Sequence, residues 1–174
     1  MSKEVREVHC KDTLAVQTHR ILPAYTNSHG DLYGGQLLYF LDNAASISQT
    51  RLTKTSSMTA SIDNVNFLAP LPEGNSVCIE CYITGTGNTS VEVFAKIIGE
   101  DLLTGNRYMA ATSFLTFVVL PEHREDFVMP RIIPESDEEK YVSAGYENRK
   151  SERMKQRKLD QDMQKNLTLD QPWV

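Results

Sequence analysis

Residues 27–42 read NSHGDLYGGQLLYFLD, and within this stretch the sequence changes from turn-forming residues to a helical period. Asn, Ser, Gly and Asp crowd its beginning, which favours a loop. From Gln36 to Arg51 the apolar residues recur at steps of three and four, so the spacing predicts a largely buried helix. Gly34 and Gly35 stand at its start, where glycine allows a tight turn and helix N–H groups lack partners.

The hydrophobic period drops to two in the segments that flank this helix. Strict alternation predicts strands over 76–83 and 90–97, joined by a hairpin at 85–88. Three further strands fit the remaining apolar runs, at Thr13–Leu22, Met58–Leu68 and Arg107–Leu120. The order of one strand, one helix and four strands predicts an α+β fold in which an antiparallel sheet packs on the helix.

Composition excludes several classes of function. The chain of 174 residues has a net charge of −5 and no general basic footprint, so we expect no nucleic-acid partner. Its charged beginning and the lack of an apolar run of about 18 residues predict a cytoplasmic protein without a membrane anchor. Cys78 and Cys81 fall on opposite faces of a predicted strand, so we expect buried free thiols, with neither a disulfide nor a metal site.

The distribution of charge divides the chain. Of the first 120 residues 19 are charged, against 22 of the last 54. We therefore predict a compact domain over 1–120, a connector at 121–134 beginning at Pro121, and a charged C-terminal extension up to residue 174. The segment 135–165 alternates acidic and basic residues, which is typical of a solvated helix or of partial disorder.

Asp42 stands out within the predicted helix. It stacks with Leu38 and Ala45, so it lies on or beside an apolar stripe, where an ionised carboxylate is costly unless it is paired or used. Two interpretations follow: a catalytic base working near neutral pH, or a solvated residue at the edge of the stripe. The preceding glycine pair likewise fits either an anion site at a helix start or a flexible cap.

Three motifs in order carry a family resemblance. The pattern Asn27-x-x-Gly30-x-x-x-Gly34-Gly35 precedes Asp42, and the segments NVNFLAPLPEG at 64–74 and GNTSV at 87–91 follow. Over about residues 10–120 the chain resembles the cytosolic acyl-CoA hydrolase branch of the hotdog superfamily. The resemblance implies a hotdog fold, with a curved antiparallel sheet wrapped around a central helix. It also implies dimers paired edge to edge, active sites at the dimer interface, and a hexamer of three dimers.

The same resemblance implies roles for individual residues. Asp42 would act as general base or nucleophile, and Asn27, from the other subunit, would orient the water or the thioester. The N–H group of Gly35 would stabilise the oxyanion. The resemblance also implies that the acyl-CoA substrate contacts Gly34, Gly87, Thr89 and Ser90. No metal or separate cofactor is implied, because coenzyme A is part of the substrate. The sequence contains no Gly-x-Ser-x-Gly elbow, Walker motif or His-Glu-x-x-His motif that would favour other chemistry.

Three alternatives remain open from the sequence. A non-catalytic acyl-CoA sensor would use the same fold, although Asp42 argues against it. A hotdog dehydratase would need a catalytic histidine paired with an acid, which the helix lacks. The C-terminal extension alone could be an interaction module.

Overall fold

A computed structural model gives the fold and describes residues 5–125, 127–171 and 173. Along these residues lie seven strands and four α-helices: β1 (Glu7–His9), α1 (Cys10–Thr13), β2 (Ala15–Arg20), α2 (Gly34–Thr53), β3 (Ser57–Phe67), β4 (Ser76–Thr86), β5 (Ser90–Glu100), β6 (Arg107–Val119), β7 (Arg131–Ile133), α3 (Asp137–Ala144) and α4 (Tyr146–Gln164). Every predicted strand and the predicted helix are present, with boundaries shifted by three residues or fewer.

Five of the strands form one antiparallel sheet, in the order β2-β4-β5-β6-β3. Helix α2 packs on one face of it, and the alternating residues of β4 and β5, such as Val77, Ile79, Val93 and Ile97, are fully buried there. The predicted α+β architecture is confirmed. Strands β2 and β3 are the two edges, and this places the loop after β2 and the start of β3 at the rims of the sheet.

Helix α2 is the central helix of the fold. It is 20 residues long, which corresponds to about 30 Å. It ends where Lys54 adopts the left-handed conformation at φ 55° and donates its N–H to the carbonyl oxygen of Thr50. Leu41, Ala44 and Ala45 have no solvent exposure, so the prediction of a largely buried helix is confirmed.

The opposite face of the sheet is also partly covered, which the alternating pattern did not predict. In the alternating patterns of β4 and β5, Tyr82 and Phe94 stand among the residues predicted to face away from the helix. Both side chains are nevertheless buried, in a second cluster together with Cys10. Ile132 and Val142, from the segment after β6, pack against this cluster. All three cysteines are free and buried, which confirms the prediction made for Cys78 and Cys81. Burial raises the pKa of the Cys10 thiol to about 12.

Part of the predicted connector belongs to the compact unit. Strand β7 pairs in parallel with β1, aligning Ile132 with Val8, and Glu138 at the start of α3 lies 2.9 Å from the amine of Lys96 on β5. The first compact unit therefore extends to Ser143 and the second begins at Ala144, beyond the division that the sequence placed at Pro121. The charge pattern missed this because the acidic residues of 135–139 include partners of basic residues on the sheet.

The second unit consists mainly of α4. Its surface carries ion pairs three residues apart, such as Glu152 with Lys155 at 2.6 Å and Asp162 with Lys165 at 2.7 Å. Met154 and Leu159 are more than half exposed, in agreement with a thin apolar stripe on a solvated helix. In the part of the chain that the structure describes, no helix is long and apolar enough to cross a membrane.

Candidate active site

The carboxylate of Asp42 is held by a hydroxyl group from an edge strand. Asp42 is half-buried on α2, and its Oδ1 accepts a hydrogen bond of 2.7 Å from Oγ1 of Thr59 on β3. Among the described residues, Oδ2 accepts no hydrogen bond, so this oxygen can accept one from another molecule. The hydrogen bond pairs and orients the Asp42 carboxylate, and a catalytic role of Asp42 remains a prediction.

Sequence reasoning missed Thr59. The alternation of β3 makes each of its residues a candidate for one face or the other, but nothing in the pattern says which side chain meets the helix. The contact depends on how α2 and β3 align in space, across 17 positions of sequence. In the structure Thr59 stands beside an irregularity in strand pairing, between Thr59 and Ser61, which the sequence pattern does not indicate.

Asn27 lies in an exposed loop whose geometry fixes its amide. Its Oδ1 accepts hydrogen bonds from the backbone N–H groups of His29, at 2.8 Å, and Asp31, at 3.3 Å. Backbone N–H groups only donate, so the oxygen must face the loop and the Nδ2 group must face outward. Asn27 can therefore donate to a carbonyl oxygen or to water. In the described residues no hydrogen bond joins it to Asp42.

The start of α2 presents unused N–H groups. No side chain caps it at Tyr33, and the first N–H groups that reach the carbonyl oxygen of Tyr33 are those of Gln36 and Leu37. The N–H groups of Gly34 and Gly35 thus point away from the helix with its dipole behind them. A Cβ atom at Gly35 would lie 2.5 Å from Cε1 of Tyr33, so close approach of this ring requires glycine.

Asp42 and Gly35 lie on the same face of α2 but at different positions along the helix axis. Seven residues separate them, which corresponds to about 10 Å along the helix axis. A base, the water that it activates and an oxyanion donor must instead surround one carbonyl group, each at hydrogen-bond distance. One chain therefore presents two half-sites along α2, a carboxylate with Thr59 and a helix start near Asn27.

The predicted substrate loop lies at the end of the β4–β5 hairpin. The N–H of Gly87 donates to the carbonyl oxygen of Ser90 at 2.8 Å, and Thr89 accepts from the N–H of Val119 at 2.9 Å. The first bond closes the hairpin, and the second ties it to the end of β6, the strand that pairs with β3. Among the described residues, no group of three or more His, Cys, Asp or Glu side chains is placed to hold a metal ion.

Comparisons with known proteins identify the family to which the chain is similar. Residues 29–105 match the thioesterase superfamily. A Bacillus subtilis protein, an uncharacterized acyl-CoA thioester hydrolase, is 42% identical over 94% of the chain and 95% of its own length. The human cytosolic acyl coenzyme A thioester hydrolase is 31% identical over 70% of the chain, which spans only 33% of that longer relative.

Solved structures extend the likeness over nearly the whole chain. An acyl-CoA hydrolase from Bacillus cereus superposes with a TM-score of 0.89 at 34% identity, covering 94% of this chain and 99% of that one. A hexameric acyl-CoA thioesterase gives 0.82 at 32% identity, covering 87% and 97%.

Three of the similar solved structures are alanine variants of one enzyme. The Staphylococcus aureus acyl-CoA hydrolase with an asparagine replaced by alanine, in complex with coenzyme A, gives a TM-score of 0.89 at 25% identity, covering 96% of this chain and 100% of that one. Other structures of that enzyme carry alanine in place of an aspartate, with a TM-score of 0.88, and of a threonine, with 0.87, both at 26% identity. Coverage of this chain and of the neighbour is 93% and 99% for the first, and 92% and 99% for the second.

Proposed function

Because the chain belongs to the acyl-CoA thioester hydrolases of the thioesterase superfamily, we propose that it hydrolyses acyl-CoA to a carboxylic acid and free coenzyme A at a site built on Asp42. The observation that carries the proposal is the hydrogen bond from Thr59 to the carboxylate of Asp42. An aspartate, a threonine and an asparagine are the residue types replaced in the S. aureus structures, and Asp42, Thr59 and Asn27 are the same three types.

Each group of the site has a chemical task in this proposal. Thr59 holds Oδ1 of Asp42, and the free Oδ2 takes a proton from water as the water oxygen attacks the thioester carbon. The outward Nδ2 of Asn27 donates to the water or to the thioester. The N–H of Gly35 donates to the oxyanion, aided by the helix dipole. The tetrahedral intermediate then expels the thiolate of coenzyme A, which receives the proton held by Asp42. In the alternative role Asp42 attacks the thioester carbon directly, and cleavage of the C–S bond expels the thiolate of coenzyme A and leaves an anhydride; water then cleaves the anhydride and supplies the proton that the thiolate takes up.

The distance between the two half-sites supports a site composed of two subunits. A partner that pairs with edge strand β3 would bring its own Asn27 and Gly35 toward Asp42 and Thr59. Met58 and Phe67 on β3 are more than half exposed, which fits a surface that a second copy covers. We propose a dimer with composite sites and a trimer of dimers, as the existence of a hexameric structural neighbour suggests. We also propose a cytoplasmic location, consistent with the name of the human cytosolic relative.

The test is release of free thiol from a panel of acyl-CoAs, from acetyl to palmitoyl. The variant Asp42→Asn should lower kcat by at least about a hundredfold, the scale of a lost general base, without unfolding. Asp12→Asn, an exposed acid on α1, is the matched control and should keep full activity. A folded Asp42→Asn variant with wild-type activity would remove the proposed mechanism. Binding of acyl-CoA by the wild type without any hydrolysis would instead indicate a sensor.

A further inference from the structure

A buried amide lies on the same helix face as Asp42, two turns further along α2. Gln49 is 2% exposed, and its neighbours on the helix, Ala45 and Leu52, are apolar residues without solvent exposure. Seven residues separate Gln49 from Asp42, so both side chains point to the same side of α2. A buried amide is costly unless its donors and acceptors are satisfied, so the partners of Gln49 indicate what it does there.

Both ends of this amide have hydrogen-bond partners. Nε2 of Gln49 donates one hydrogen to Oγ1 of Thr53, at 2.6 Å, and the other to Oγ of Ser57 at the start of β3. The hydroxyl of Thr53 donates its single hydrogen to the carbonyl oxygen of Gln49 or of Thr55, so it accepts from Nε2. Oε1 accepts from the hydroxyl of Thr50 at 3.2 Å. The orientation of the amide is therefore fixed, and it ties the C-terminal part of α2 to β3.

The bond from Gln49 to Ser57 runs beside the bond between Thr59 and Asp42. Ser57 and Thr59 are two residues apart on β3, so their side chains point to the same face of the strand. Both side chains meet α2, one at Gln49 and the other at Asp42. One face of the helix and one face of the strand are thus joined by two neighbouring hydrogen bonds.

Strand pairing alone fixes the direction of the Thr59 side chain only loosely. β3 is an edge strand and pairs with β6 along one side. Its pairing shifts register between Thr59 and Ser61, and a bulge of this kind changes the direction of nearby side chains. Gln49 holds Ser57, two residues before the irregularity, against α2. The segment that carries Thr59 is therefore held to the helix immediately before the strand becomes irregular.

We infer that Gln49 is a positioning residue for hydrolysis: by holding Ser57, it places the hydroxyl of Thr59 against Oδ1 of Asp42. The inference rests on the proposed function and adds to it a residue that no sequence motif indicated. An apolar side chain of similar size would fill this buried position without the cost of burying an amide, so stability alone does not explain glutamine here. Buried polar side chains that are fully bonded instead select one arrangement of the elements that they join.

The experiment measures kcat and KM for acyl-CoA in Gln49→Met and in Ser57→Ala, which remove the same hydrogen bond from its two ends. Each should lower kcat by about threefold to tenfold with KM unchanged, because Gln49 acts through Thr59 and its loss cannot exceed the loss of that hydroxyl. Ser57→Thr keeps a hydroxyl at this position and should retain the kcat of the wild type. Thr53→Val is the matched control, because it removes the other bond of the Nε2 group, within α2. It should lower the temperature of unfolding and keep kcat within about twofold.

Two further measurements separate positioning from a general structural effect. In the background of Thr59→Val, adding Gln49→Met should have no further effect on kcat, because the hydroxyl that Gln49 positions is already absent. A merely structural role would lower kcat by the same factor in both backgrounds. Crystal structures should show the bond of 2.7 Å between Thr59 and Asp42 in the wild type and its loss in Gln49→Met.

The outcomes distinguish this inference from the proposed function. Undiminished kcat in folded Gln49→Met and Ser57→Ala, equal factors in both backgrounds, or an unchanged bond between Thr59 and Asp42 in the crystal would overturn the positioning role while hydrolysis stands. If Gln49→Met does not fold, Ser57→Ala makes the same test at a half-buried position. A wild type that hydrolyses no acyl-CoA would remove the proposed function, and the crystal structures would still test whether Gln49 positions Thr59.

Discussion

Replacing Thr59 by valine tests whether the hydroxyl group orients the catalytic carboxylate. Valine keeps the β-branched shape that suits β3 and removes only the hydrogen bond of 2.7 Å to Oδ1 of Asp42. A hydrogen bond to a charged group contributes about 1.5–3 kcal/mol, and the lower value applies here because Thr59 is exposed in the single chain. If that energy is realised in the transition state, kcat should fall about tenfold.

The assay is acyl-CoA hydrolysis measured as kcat and KM, with thermal unfolding as the check on the fold. Thr59→Ser should retain most of the activity, because serine supplies the same hydroxyl. Thr18→Val, on the exposed face of the opposite edge strand β2, is the matched control and should leave kcat unchanged. Full activity of Thr59→Val, or equal losses for the valine and serine variants, would refute orientation by the hydroxyl.

The remaining predictions concern the helix start, subunit exchange, the thiols and the tail. Gly35→Ala should lower activity, because its Cβ displaces the ring of Tyr33, and adding Tyr33→Ala should recover part of it; the measurement is kcat for the single and double variants. Mixing inactive Asn27→Ala with inactive Asp42→Asn protein should regenerate activity after verified subunit exchange, and no recovery would mean that each site is built within one chain. A thiol reagent at pH 8 should label no cysteine until denaturant is added, since all three are buried. Truncation after Gly145 should leave a folded, active first unit, with any loss confined to assembly; an insoluble product would contradict this.

The fold was predictable to the extent that one side-chain period governed each element. Steps of three and four gave α2, and steps of two gave β4 and β5, because each of these elements buries a regular set of positions. The buried outer face was not predictable in this way. Tyr82 and Phe94 stand among the residues predicted to face away from the helix, and the side chains that cover them are those of Cys10 and of residues beyond β6. Contacts between segments this far apart in the sequence produce no periodic pattern of apolar residues.

Of the candidate site, too, only part could be predicted from the sequence. Asp42 was visible as a carboxylate on an apolar stripe, and the roles of Asn27 and Gly35 came from a motif resemblance. The contact of Thr59 with Asp42 could not be predicted, because it depends on the tertiary alignment of α2 with β3. The orientation of the Asn27 amide also needed the structure, since it depends on which backbone N–H groups of the loop turn toward Oδ1.

Two consecutive side chains of α2 explain why the sheet must curve. Asp42 accepts from Thr59 on edge strand β3, and Asn43 accepts from Nε2 of Gln17 on the opposite edge strand β2, at 2.7 Å. A flat sheet of five strands would separate its edges by about 19 Å. A helix with its side chains is only about 10–12 Å across. Both hydrogen bonds form on one helix only if the two edges bend toward it. The position of the Asp42 carboxylate therefore depends on closure of the whole sheet around α2.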